Sequence, residues 1–115
     1  MKTIIYHNPQ CSKSREGLCV LEEIGEDVVI KNYLIEPPTY KELENLLKLL
    51  KVKPLDIIRK KEPIFKEKYE GKKLTKKQWI EAMIQDPILI ERPIVVRGDK
   101  AVIGRPPTLI KDLIK

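Results

Sequence analysis

The opening segment of the chain leaves it few folds to choose from. A short apolar run, Ile4-Ile5-Tyr6, is followed by a helical pattern over 13–24 in which Leu18, Leu21 and Ile24 share a face, and Gly25 supplies the stop. A second apolar run, Val28-Val29-Ile30, comes next, continuous as a strand buried on both faces would be. Strand, helix and strand at this spacing make a βαβ unit, so the strand at 2–6 and the strand at 28–30 are predicted to be parallel.

The junction inside that unit carries the chemistry. It reads Tyr6-His7-Asn8-Pro9-Gln10-Cys11-Ser12-Lys13-Ser14-Arg15. A strand feeding a helix through such a loop aims backbone N–H groups and the positive end of the helix dipole at whatever lies there. Thiolate is the nucleophilic form of cysteine, and this setting favours it over the thiol. The same amides suit an oxyanion. The expectation is a reactive Cys11 beside a small anion site.

The second cysteine, Cys19, reads as a core or half-buried helix residue. Eight residues along one helix separate the two sulfurs by ~12 Å, and a disulfide needs Cα atoms within ~7 Å. No disulfide between them is expected. The position that would complete a C-x-x-C pair is Ser14, which excludes a dithiol mechanism within the loop. Two cysteines and one histidine are too few for a zinc site.

Beyond Asn32 the pattern changes. Glu36-Pro37-Pro38 breaks the run, and Thr39 with Glu42 forms a capping box ahead of Leu43, Leu46, Leu47 and Leu50 at helical spacing. Pro54 opens a short helical turn that Pro63 breaks, and the charged stretch 66–73 reads as loop. Thr75 and Gln78 make a second capping box, starting a helix with Trp79, Ile80, Met83 and Ile84 inward, which Asp86-Pro87 ends. Pro93 precedes a third strand, Ile94-Val95-Val96. Gly98-Asp99 is a hairpin signal returning Ala101-Val102-Ile103 antiparallel, and a last helix buries Leu109, Ile110, Leu113 and Ile114.

The order is therefore β-α-β, an inserted helical block at about 37–90, then β-β-α. The expected architecture is one α/β domain over 1–115, with a thioredoxin-like core (1–36 and 91–115) and a four-stranded mixed sheet. That fold sets a cysteine at the start of the first helix beside a proline at the start of the third strand.

The net charge of +6 owes much to lysines between Lys48 and Lys77. Aromatic residues at 5% are thin for base stacking, so a solvated lysine-rich surface is the reading and no nucleic-acid partner is expected. A docking face for an acidic patch is the alternative. No apolar run approaches the ~20 residues of a membrane span. The first residues lack the pattern of a signal peptide, and the expected compartment is the cytoplasm.

The residues His7-Asn8-Pro9-Gln10-Cys11-Ser12-Lys13-Ser14-Arg15, Tyr33-Leu34, Pro37-Pro38, Ile58-Arg59-Lys60, Pro87 through Val96 and Gly104-Arg105-Pro106 resemble, in order, the glutaredoxin-coupled arsenate reductases of the ArsC type. The likeness is greatest to the family's short members. It implies Cys11 as the nucleophile, Arg59, Arg92 and Arg105 around the oxyanion, and His7 as a histidine helping to keep the cysteine ionised. It also implies Ser14 and Arg15 at the end of the active loop and Pro93 as a cis proline. The family's reaction starts with thiolate attack on arsenate. Glutathione, a co-substrate rather than a bound cofactor, then adds to arsenic, and glutaredoxin reduces the mixed species. No bound cofactor or metal is implied. Two other readings share the fold: a Spx-type redox-linked transcription regulator binding RNA polymerase, and a relative acting on another thiol or oxyanion substrate. Spx-type proteins typically carry C-x-x-C where this chain has Ser14.

Overall fold

The computed structural model describes residues 2–114. The chain divides into two compact units, Met1–Glu36 with Arg92–Lys115, and Pro37–Glu91.

The first unit holds the sheet. Strands β1 (Thr3–His7), β2 (Val28–Asn32), β3 (Ile94–Arg97) and β4 (Lys100–Ile103) lie in the order β2-β1-β3-β4. β2 runs parallel to β1, as the crossover through helix α1 (Ser12–Ile24) requires. β3 runs antiparallel to β1, and β4 antiparallel to β3. This is the thioredoxin-like arrangement. Ile5, Leu21, Val95 and Ile110 are fully buried at its centre, contributed by β1, α1, β3 and the last helix of the chain, Thr108–Ile114. Gly25 ends α1 in the left-handed region at φ 82°, and its N–H bonds the Glu22 carbonyl at 3.0 Å.

Three expectations for this unit need correction. β2 is an edge strand, so Val28 and Val29 are only partly covered and Ile30 is 52% exposed. Its apolar run reflects β propensity rather than burial on both faces. Leu109 is 38% exposed, because Ile110 takes the inward position of the last helix. Cys19 is exposed, off the face that Leu21 and Gly17 bury, and its Sγ donates to Glu23 Oε1 at 3.5 Å.

The second unit is helical. Helix α2 (Tyr40–Leu50) and helix α4 (Lys76–Gln85) each start with the reciprocal capping box read from Thr39/Glu42 and Thr75/Gln78. They pack together over buried Leu43, Leu46, Trp79, Ile80 and Met83. A 3₁₀ turn, Pro54–Ile57, and a second one, Pro87–Leu89, lie against α4. Pro63, expected to break structure, instead opens helix α3 (Pro63–Lys68), which takes in part of the predicted 66–73 loop. Proline lacks the N–H that the first turn of a helix would leave unpaired, so Pro63 starts this helix; the preceding 3₁₀ turn has already ended at Ile57. The helix Thr108–Ile114 is α5. Among the described residues no helix is long and apolar enough to cross a membrane.

Candidate active site

β1 ends at His7, and the chain turns through Asn8-Pro9-Gln10 to place Cys11 as the N-cap of α1. The turn is closed twice. The Cys11 N–H donates to the Asn8 carbonyl at 3.0 Å, and the Gln10 N–H donates to Asn8 Oδ1 at 3.0 Å. Asn8 is 3% exposed, so this side chain is a fixed part of the loop. Sequence reading assigned it no role. An Asx turn at Asn-Pro was the available signal.

Behind the loop, Ser14 is fully buried on the first turn of α1. Its Oγ accepts the Asn8 N–H at 2.9 Å and lies 2.7 Å from His7 Nδ1. Burial lowers the His7 pKa, the Ser14 hydrogen bond opposes this, and the charge of Arg15 adds to the lowering. The uncharged imidazole is thus favoured at neutral pH. Through that contact His7 bears on Ser14 and the loop. Arg15 is exposed, and its backbone N–H donates to the Cys11 carbonyl at 3.0 Å.

Around Cys11 three influences compete. Burial pushes its thiol up. A hydrogen bond from the Arg92 side chain, the Ser14 and Lys13 N–H groups of the helix start, and the Arg92 charge together outweigh this. The net effect brings the pKa from 9.0 down to about 7. Arg105 adds a further cation, with Nη2 3.7 Å from Cys11 Sγ.

The two arginines reach the cysteine because of strand register. The Gly98-Asp99 turn pairs Arg97 with Lys100 and Ile94 with Ile103. Continuing that ladder sets Pro93 against Gly104 and Arg92 against Arg105. The Gly104 N–H donates to the Pro93 carbonyl at 2.8 Å, and Arg105 Nε donates to the Arg92 carbonyl at 2.8 Å. Arg105 therefore spans from the Arg92 backbone to the sulfur. Pro93 follows a cis peptide bond, as does Pro106.

Two glycines make room for this arrangement; the sequence marked Gly104 as the end of the last strand but gave Gly17 no role. A Cβ on Gly17 would sit 2.8 Å from Pro93 Cγ, and one on Gly104 would sit 2.7 Å from Ile110 Cδ1. Gly17 lies inside a helix, where glycine is unfavourable by ~1 kcal/mol, and that cost was the sequence signal of a close approach.

Arg59 belongs to the Pro37–Glu91 unit. There its N–H bonds the Leu89 carbonyl at 2.7 Å, beside the Ile58–Ile90 bridge. Its guanidinium pairs with Glu91 at 3.2 Å and Glu62 at 3.5 Å. Among the described residues no group of three or more His, Cys, Asp or Glu is arranged to hold a metal ion.

A cysteine with a depressed pKa, at a helix start and flanked by two arginines, is equipped to attack an electrophilic oxyanion. Known proteins resemble this chain along nearly its whole length. The ArsC family profile matches residues 6–113. The chain is 42% identical over 112 residues to the Escherichia coli K12 protein called uncharacterized protein YfgD, covering 96% of this chain and 94% of that one. It is 39% identical over 116 residues to a Haemophilus influenzae protein named arsenate reductase, covering 99% of this chain and all of the other. A solved structure titled arsenate reductase from Vibrio cholerae superimposes with a TM-score of 0.93 at 40% identity, covering 97% of each chain. This chain belongs to the ArsC family.

Proposed function

We propose that this protein is an arsenate reductase in which Cys11 is the nucleophile. The observation that carries the reading is the Cys11 thiol held at about 7 by Arg92 and two helix-start amides. A 39% identity over nearly the whole of both chains to a relative named arsenate reductase supports the substrate.

The thiolate attacks arsenic(V), an S–As bond forms, and an oxygen leaves as water after taking up protons. Arsenate carries one or two negative charges at neutral pH, so attack brings like charges together. Arg92 and Arg105 are permanently charged and offer planar forks, which a lysine would not. They counter the repulsion and stabilise the charge gathered in the transition state. Glutathione then adds to arsenic. Over the full reaction two thiols are oxidised to a disulfide, arsenic(V) is reduced by two electrons, and arsenite and water are released. Glutaredoxin, reducing the mixed species, closes the cycle in the cytoplasm. One enzyme cysteine is sufficient for this scheme, in keeping with Ser14 at the C-x-x-C position and its hydroxyl engaged with Asn8 and His7.

The test is arsenate-dependent NADPH oxidation coupled through glutathione, glutaredoxin and glutathione reductase. Wild-type turnover, lost in Cys11→Ser and lowered by ~10²-fold or more in Arg92→Ala, is the expected result. A wild-type rate equal to the enzyme-free blank would overturn the assignment.

A further inference from the structure

The helical unit carries a second candidate binding feature, built wholly from residues 44–79. Two hollows of ≈660 and ≈560 Å³ adjoin there, with Val52, Lys53, Asp56 and Lys76 lining both. Lys51, the C-cap of α2, lines the first hollow and turns the chain there at φ 59°, a left-handed conformation that a lysine adopts with difficulty. The apolar lining is concentrated in the second hollow, where Pro54, Leu55, Leu74 and Trp79 join Val52; in the first it is limited to Leu47 and Val52. Leu55 remains 37% exposed on this surface.

The rim is strongly basic. Lys48, Lys51, Lys53, Lys60 and Lys76 face two carboxylates, Glu44 and Asp56. Asp56 is already used, since its Oδ2 accepts the Lys53 N–H at 2.9 Å and caps the 3₁₀ turn. None of the five lysines forms an ion pair among the described residues.

We propose that this basic, apolar-floored groove docks an acidic protein segment that carries a bulky apolar side chain. The charge excess sets the sign of the partner, and the floor asks for an apolar group that a carboxylate-only ligand lacks. Lysines on flexible stems act as point charges and tolerate varied carboxylate placement, which suits an extended acidic segment. Single-stranded nucleic acid is disfavoured because stacking its bases needs an exposed aromatic face. The one ring here, Trp79, is 5% exposed and stacks on Phe65. The inference is independent of the arsenate chemistry, since none of its residues belongs to the Cys11 loop.

The probe is a short fluorescein-labelled peptide, glutamate-rich with a central Leu-Phe pair, titrated against the full chain by anisotropy and followed by amide chemical shifts. The expected result is saturable, salt-sensitive binding with shifts confined to residues 44–79. Binding weakens by about tenfold in Lys53→Glu/Lys76→Glu. The same peptide with Ser-Gly replacing Leu-Phe, tested on unaltered protein, binds more weakly; this arm does not depend on the variant folding. Absence of saturation, equal affinity for the two peptides, shifts centred outside the groove, or tighter binding of single-stranded oligothymidine would each overturn the proposal.

Discussion

At the scale of single residues, the reactivity of Cys11 is a contest between burial, which favours the neutral thiol, and Arg92 with two amides, which favour the thiolate. Because the folded pKa is depressed, thiolate dominates above about 7 and is lost as pH falls below it. Alkylation by iodoacetamide, followed against pH in a Cys19→Ser background, is expected to show a midpoint near 7. In Arg92→Ala the midpoint moves up toward 9.0, since burial then acts with less opposition. A midpoint unchanged by Arg92→Ala would assign the depression to the amides alone. Cys19 is removed because it is exposed; the hydrogen bond and charge of Glu23 raise its pKa, so it would add a second wave at higher pH. The role of Cys11 was legible in the sequence because strand-loop-helix junctions place amides in a fixed direction. The hydrogen bonds joining His7, Asn8 and Ser14 were not, because they depend on side-chain rotamers that spacing does not specify.

At the scale of elements, two substitutions separate what is local from what is tertiary. Thr75→Ala removes a side chain that accepts the Gln78 N–H at 3.2 Å, and a loss of ~1 kcal/mol is expected. Gly17→Ala ought to help an isolated helix by a similar amount. Here its Cβ would meet Pro93 Cγ at 2.8 Å and Ile110 Cδ1 at 3.0 Å, so overpacking of ~1–3 kcal/mol wins and the variant is less stable. Urea denaturation of both variants checks this, and a stabilised Gly17→Ala would show that Pro93 and Ile110 yield freely. The capping boxes were readable because they are short-range patterns. So was the β3–β4 hairpin at Gly98-Asp99, whereas the register that sets Arg92 against Arg105 came from the structure. That the start of α1 lies beside Pro93 followed from the expected fold; what no local pattern gave was the tight approach of Gly17 to Pro93, or the helix that Pro63 begins.

At the scale of the whole chain, the βαβ crossover and the hairpin gave the β1–β2 and β3–β4 pairings, while the β1–β3 pairing that sets the order came from the structure. Edge position was harder to see, as Ile30 shows, because an apolar strand reads alike at the edge and the centre. The same separation into a sheet unit and a helical unit bears on Arg59. Its guanidinium lies between Glu62 and Glu91, and the three side chains are 20–24% exposed. Its backbone closes on Leu89 while the Glu91 N–H closes on Ile57 at 2.7 Å, so the residue joins two strands of chain within its own unit. Removing the cation leaves two partly buried carboxylates near each other. Arg59→Ala is therefore expected to lower stability by ~1–2 kcal/mol in urea denaturation. The groups that depress the Cys11 pKa are Arg92 and the amides of Lys13 and Ser14. The alkylation midpoint of Arg59→Ala should accordingly stay at about 7, however arsenate turnover responds. A raised KM with that midpoint intact would identify Arg59 as acting on the anion and not on the nucleophile. A shifted midpoint would show that its charge reaches the sulfur.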